Sequence, residues 1–230
     1  MGFEKATEFT VADVEFRVIS GAAPLVFVAP HGGRRDPVQR PWREGGLKVN
    51  DLHTAALTAE LAAATGATAL VNAGLDRNET DLNRIVEAAE RAPRFLELLA
   101  AIVEEKLAAH ERVTLLTVHG WNVVQTSLDV GLGCKTGHDP LAVGRRAAVS
   151  PAFAATALAR LLAACDAQGI VATVGARYPA RNAENLLQLF TARYRDDPRA
   201  SVRALVDAGK YDEAIETGRA SCRERVFRTV

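Results

Sequence analysis

The chain has 230 residues, 48% of them hydrophobic and 24% charged, with 28 basic residues balanced by 28 acidic ones. That length fits one large domain or two small ones, with one as the default, and the apolar share can fill a sizeable core. A net charge of zero gives no electrostatic basis for a nucleic-acid or membrane-surface partner, and no apolar run approaches the roughly 20 residues of a membrane-spanning helix.

The opening MGFEKATEFTVADVEF lacks the basic-then-apolar build of a signal peptide. FTVADVEFRVIS alternates in part and reads as a half-exposed strand. PLVFVAP is a short continuous apolar run, as expected of a buried strand. From Asn50, NDLHTAALTAELAAATG has helical spacing, and Gly66 closes its end. ATALVNAG is another short strand. PRFLELLAAIVEEKLAAH is a helix with Pro93 in its first turn. VTLLTVHG reads as a third buried strand and QTSLDVGLG as a further one. PAFAATALARLLAACDAQG is a helix opened by Ser150 and Pro151. GIVATVGARYP and ENLLQLFTARY complete the expected strands. Strands alternating with helices predict an α/β fold, a single domain over residues 1–217, with a mostly parallel mixed sheet and helices on both faces.

Residues 218–230, GRASCRERVFRTV, break this pattern with scattered arginines, no periodicity and an isolated cysteine. They resemble translated adaptor or cloning sequence, and the expectation is a non-native or disordered tail; a basic surface tail is the alternative. Cys134, Cys165 and Cys222 are far apart. Few, scattered cysteines fit a reducing cytosol, so the expected location is cytoplasmic.

There are five histidines, and two share one context. His31 ends the strand PLVFVAP and precedes Gly32; His119 ends the strand VTLLTV and precedes Gly120. In an open parallel sheet, sites form outside the carboxyl ends of the strands. Both imidazoles are therefore expected on one edge, where the glycines let the backbone turn sharply. Asp36 lies on the loop from His31 and can fold back towards it. Two imidazoles and a carboxylate make a zinc set with an open fourth position. Water bound there ionises at about pH 7, and the ion polarises a carbonyl, which suits amide or ester hydrolysis. The plainer alternative is a pair of strand-end histidines with hydrogen-bonded rings.

RNETDLNRI, Arg77 to Ile85, follows the strand ATALVNAG and lies at the same edge. Asn83 and Arg84 set a neutral amide beside a guanidinium, and arginine holds a carboxylate through two parallel hydrogen bonds. A substrate anchor and a helix cap with a solvated arginine are both open on these residues. GLGCKTG, Gly131 to Gly137, matches neither Walker nor dinucleotide spacing, so nucleotide binding is not expected.

PHGGRRD, TDLNR, TLLTVHG and ENLLQLFTARYR, in that order, resemble the N-formylglutamate amidohydrolase family. The set is also similar to the related poly-gamma-glutamate hydrolases, and both groups are akin in fold to zinc carboxypeptidases. The resemblance spans Pro24 to Arg195. It implies a zinc-exopeptidase-like (phosphorylase/hydrolase-like) fold, with His31, Asp36 and His119 as Zn²⁺ ligands and Asn83 and Arg84 as binders of a substrate carboxylate. The implied activity is metal-dependent hydrolysis of the amide bond of an N-acyl (N-formyl) amino acid or a gamma-glutamyl-type acidic substrate. In one place the chain departs from the pattern. The family's late strand carries a glutamate that serves as general base, and here Phe190 occupies that position. Glu184, the nearest carboxylate in sequence, is the named substitute, with Asp129 as another candidate. The remaining readings are a metal hydroxide acting with a weaker base, and an acidic-metabolite binding protein that has lost hydrolysis.

Overall fold

The computed structural model describes residues 8–9, 15–33, 50–120, 127–133, 149–180, 182, 184–190 and 215–222. The strands are β1 (Glu8–Phe9), β2 (Phe16–Ile19), β3 (Leu25–Ala29), β4 (Thr68–Asn72), β5 (Val113–His119), β6 (Ser127–Gly131), β7 (Val171–Val174) and β8 (Ile215–Cys222). They form one sheet in the order β1-β2-β4-β3-β5-β8-β6-β7. β4, β3, β5 and β8 are mutually parallel, and β6 and β7 form a second parallel pair. Antiparallel pairings join β1 to β2, β2 to β4 and β6 to β8, so the sheet is mixed.

The β3 sequence explains the layering. Side chains alternate across a strand. Val26 and Val28 pack with Leu70, Leu115 and, from α3 (Pro93–Ala109), Phe95, Leu96 and Leu99. Phe27 and Ala29 pack on the other face with Ala69, Val71, Val118 and, from α1 (Thr54–Thr65), Ala62. A strand covered on both faces has no polar side to alternate with, hence the unbroken LVFVA. α2 (Ile85–Arg91) joins the α3 side through Ile85, Ala88 and Ala89. At the far end, Leu128, Val130 and Val174 pack against Leu158 and Cys165. These last two belong to a helical run that opens as α4 (Pro151–Phe153), passes through a π-helical turn at Ala154–Leu158 and continues as α5 (Ala159–Ala167). The expected helix signals hold: Gly66 ends α1 in a left-handed conformation, φ 67°, Pro93 opens α3, and Ser150 Oγ accepts from the Phe153 N–H at 3.1 Å.

Two segments differ from the sequence expectation. Glu184–Phe190, expected as part of a strand, forms a turn with a 3₁₀ segment at Leu186–Gln188, capped by Asn185 Oδ1, which accepts from the Leu187 N–H. Leu186, Leu187, Leu189 and Phe190 are all buried, and a short apolar run does not distinguish a buried strand from a buried turn. The rest of that expected strand, residues 191–194, lies outside the described residues. β8 takes in Gly218–Cys222, part of the stretch expected as a non-native or disordered tail; backbone ladders to β5 and β6 hold it, and such ladders need no side-chain periodicity. Residues 223–230 lie outside the described residues. Among the described residues, no helix is long and apolar enough to cross a membrane.

Candidate metal centre and adjoining cavity

β3 and β5 are neighbours with Val28 opposite Thr117, so their carboxyl ends share an edge. His119 is the last residue of β5, and His31 follows β3 across Pro30. Gly32 then turns the chain tightly against α1: a Cβ there would lie 2.8 Å from the Ala55 backbone nitrogen. The chain comes back to the same point just before α1. There the Asp51 N–H donates to the His31 carbonyl at 2.9 Å, and Thr54 Oγ1 donates to the Asp51 carbonyl at 2.8 Å. This tie sets the Asp51 carboxylate between the two imidazoles.

Asp51 Oδ2 lies 3.0 Å from His119 Nδ1 and 3.3 Å from His31 Nδ1, and the ring centroids are 4.9 Å apart. Both rings are fully buried and Asp51 is 7% exposed. An ionised carboxylate only accepts, so each contact holds a proton, or a cation in its place. Burial alone would raise the Asp51 pKa. Hydrogen bonds from His119 and His31, and their charge, outweigh burial and hold the carboxyl well below the usual carboxylate range. One donor atom from each of His31, Asp51 and His119 lies within 4.8 Å of the others. Donors on a tetrahedral zinc with bonds of about 2.0–2.1 Å stand about 3.3 Å apart, and both spacings around Asp51 are near that value. The donor set therefore fits a zinc-like ion.

A second carboxylate backs the first histidine. His31 Nε2 donates to Asp81 Oδ1 at 2.7 Å, and Asp81 is 1% exposed. With that proton held on Nε2, a cation replacing the Nδ1 proton would meet a neutral ring whose lone pair on Nδ1 faces the Asp51 side. Asp81 is fixed in turn: Glu87 Oε1 accepts its N–H at 2.9 Å, and its Oδ1 also accepts the Asn83 N–H at 3.1 Å. Arg77 ties the two acids together, with Nη1 at 3.2 Å from Asp51 Oδ1 and Nε at 3.8 Å from Asp81 Oδ2.

Arg77 and Asp81 also line a cavity of about 490 Å³. Asn83 and Arg84 stand on the same wall. Arg84 is held by a backbone bridge to Asn185, and the Ile85 N–H donates to the Glu184 carbonyl at 2.8 Å. Asn83 is buried, and its Oδ1 has no hydrogen-bond partner among the described residues. An unpaired buried acceptor costs about 1–3 kcal/mol, which a ligand N–H would relieve. Gly175 to Ala180, Asn182 and Asn185 complete the described lining. His31, Asp51 and His119 do not line the cavity; they adjoin it through Asp81 and Arg77.

The expected site residues are thus partly brought together. His31 and His119 meet, and Asn83 and Arg84 share the adjoining cavity wall. Asp36 lies outside the described residues. Glu184 is exposed and does not line the cavity, and its N–H donates to Asn182 Oδ1 at 2.9 Å. Asp129 is fully buried, and its carboxylate is taken up by Thr173 and the backbone of residues 176–178. Phe190 is 2% exposed and packs in the core on the α3 side. Sequence reasoning gave no role to Asp51, Arg77 or Asp81. Asp81 stands inside the quoted TDLNR, three residues before Arg84, and its proximity to that motif was the available signal.

No family model matches the chain, and no curated relative matches it either. Solved structures do. The crystal structure of N-formylglutamate amidohydrolase from Ralstonia eutropha JMP134 superimposes with a TM-score of 0.55 at 13% sequence identity, covering 91% of this chain and 86% of that one. Gene product Atu2144 from Agrobacterium tumefaciens gives 0.54 at 12% identity, covering 92% of this chain and 84% of that one. Over most of its length, the chain has the mixed α/β fold seen in the Ralstonia amidohydrolase structure.

Proposed function

We propose that the protein is a zinc-dependent amidohydrolase acting on N-acyl amino acids with an acidic group, of which N-formylglutamate is the first to test. The observation that carries this reading is the buried His31–Asp51–His119 donor set beside a cavity lined by Asn83 and Arg84. His31 and His119 hold the ion. Asp51 faces both rings, and Asp36 remains the ligand proposed from sequence. Zinc bound there would supply a water ionised near neutral pH and a Lewis acid for the amide carbonyl. Arg84 pairs with a substrate carboxylate, Asn83 accepts the amide N–H, and Asp81 keeps the His31 lone pair on Nδ1. Glu184 is the base proposed from sequence. The fold shared with the Ralstonia amidohydrolase supports the reading at the level of architecture.

The test is metal content by inductively coupled plasma mass spectrometry together with turnover of N-formylglutamate. The intact protein should hold about one zinc per chain, and His119→Ala should lose both metal and turnover while keeping its circular dichroism spectrum. Zinc retained in that variant would refute the assignment. Phe190 favours one second reading. A phenylalanine buried in the core supplies no base, so a protein that binds acidic metabolites without hydrolysing them fits the same cavity. Zinc and ligand binding without turnover would select it.

A further inference from the structure

Asp129 is a buried carboxylate with no part in the candidate metal centre, yet three of the four hydrogen bonds described for it come from the backbone of one loop, residues 176–178. Its Oδ1 accepts from Thr173 Oγ1 at 2.8 Å and the Ala176 N–H at 3.1 Å. Its Oδ2 accepts the N–H groups of Arg177 at 2.9 Å and Tyr178 at 2.7 Å. The same loop is tied to β6 and to the residues just after it: the Gly175 N–H donates to the Val130 carbonyl at 2.9 Å, and the Gly133 N–H to the Pro179 carbonyl at 3.0 Å. It passes so close to β6 that a Cβ on Gly131 would lie 2.2 Å from the Tyr178 carbonyl oxygen. Ala180, which follows, is held at φ 55°, a conformation unusual for a residue with a Cβ. Exposed loops are ordinarily the mobile parts of a fold. This one is fixed at each backbone N–H from Ala176 to Tyr178, and it forms a wall of the cavity.

Fixing that backbone fixes where Arg177 starts. Arg177 lines the cavity from this wall, and Arg84 lines it from the segment after β4. Among the described residues the lining carries three arginines, Arg77, Arg84 and Arg177, against one acid, Asp81, a balance of charge suited to an anionic ligand. We propose that Arg177 is a specificity-determining residue that takes an anionic group of the ligand, with Asp129 as the positioning residue that holds it at the wall. This deepens, and rests on, the reading of the cavity as an acidic-substrate site.

The experiment is calorimetric binding of glutarate and of butyrate, two carboxylates against one, to the full zinc-loaded chain. Wild type should bind glutarate about tenfold or more tightly than butyrate, as one charged pair implies. Arg177→Ala should remove that preference and leave butyrate unchanged, whereas Arg84→Ala should weaken both ligands. Asp129→Asn turns an amide NH₂ towards backbone donors and should lose the same preference. The double variant Asp129→Asn/Arg177→Ala should then be no weaker than Arg177→Ala, because the first residue acts through the second. Equal binding of the two ligands by wild type, a preference surviving in Arg177→Ala, or losses that multiply in the double variant would each overturn the proposal. If Asp129→Asn does not fold, Arg177→Ala and Arg177→Lys decide, the lysine restoring part of the preference. Turnover of N-formylglutamate is measured alongside: its absence with the glutarate preference intact sinks the amidohydrolase reading and leaves this proposal standing.

Discussion

His31 Nε2 donates a hydrogen bond to Asp81 Oδ1 across 2.7 Å, although 50 positions separate the two residues. The contact joins the strand-end histidine to the turn that carries Asn83 and Arg84. It makes Asp81 the residue through which the candidate metal centre and the cavity share one framework.

Asp81→Asn should weaken zinc binding about tenfold or more without unfolding the protein, as loss of a carboxylate behind a ligating histidine typically does. Competition with a chromophoric chelator measures the effect. Wild-type affinity in the variant would mean that Asp81 merely packs there.

In metal-free protein, Asp51 ties acid stability to the site. Its folded pKa is depressed, so its contribution is present above the unfolded value of about 3.9 and is lost as pH falls below it towards the folded value. Urea midpoints taken at about pH 5 and pH 3 should therefore drop more steeply for wild type than for Asp51→Asn. Parallel slopes for the two proteins would contradict this.

Glu184→Gln tests the base proposed from sequence. A general base contributes about 10²–10⁴-fold, and the variant should lose that factor in kcat with little change in KM. Unchanged kcat transfers the role to another group.

Phe190→Ala removes a ring from the core on the α3 side. It should cost about 3–5 kcal/mol of stability, read from equilibrium urea unfolding, while zinc content in the folded protein stays the same. A cost under about 1 kcal/mol would place the ring outside the core.

The parts of the site legible in the sequence were those with local signatures. A buried strand that stops at His-Gly states both its own burial and the position of the histidine at the sheet edge. That reasoning put His31 and His119 together correctly, because neighbouring parallel strands must end on one side. Asn83 and Arg84 followed from their place after β4. Asp51 was not legible: it reaches the histidines only because the crossover into α1 returns to the His31 carbonyl, and nothing local marks that return. Asp129, named as another candidate base, shows how little residue type alone tells. A carboxylate within an apolar strand invites a catalytic reading, whereas its four partners come from more than 40 positions away. The run LLQLF misled for a simpler reason, since burial erases the polar positions that would have given its period.

The three donors of the candidate metal centre lie 20 and 68 positions apart along the chain, so an unfolded chain presents no comparable site. Any ion that binds the assembled set therefore binds the folded state alone, and its binding free energy adds to that of folding. At an ion concentration 100 times the dissociation constant, this coupling is worth about 2.7 kcal/mol. An ion held there would raise the folded fraction of the protein as well as fill the site.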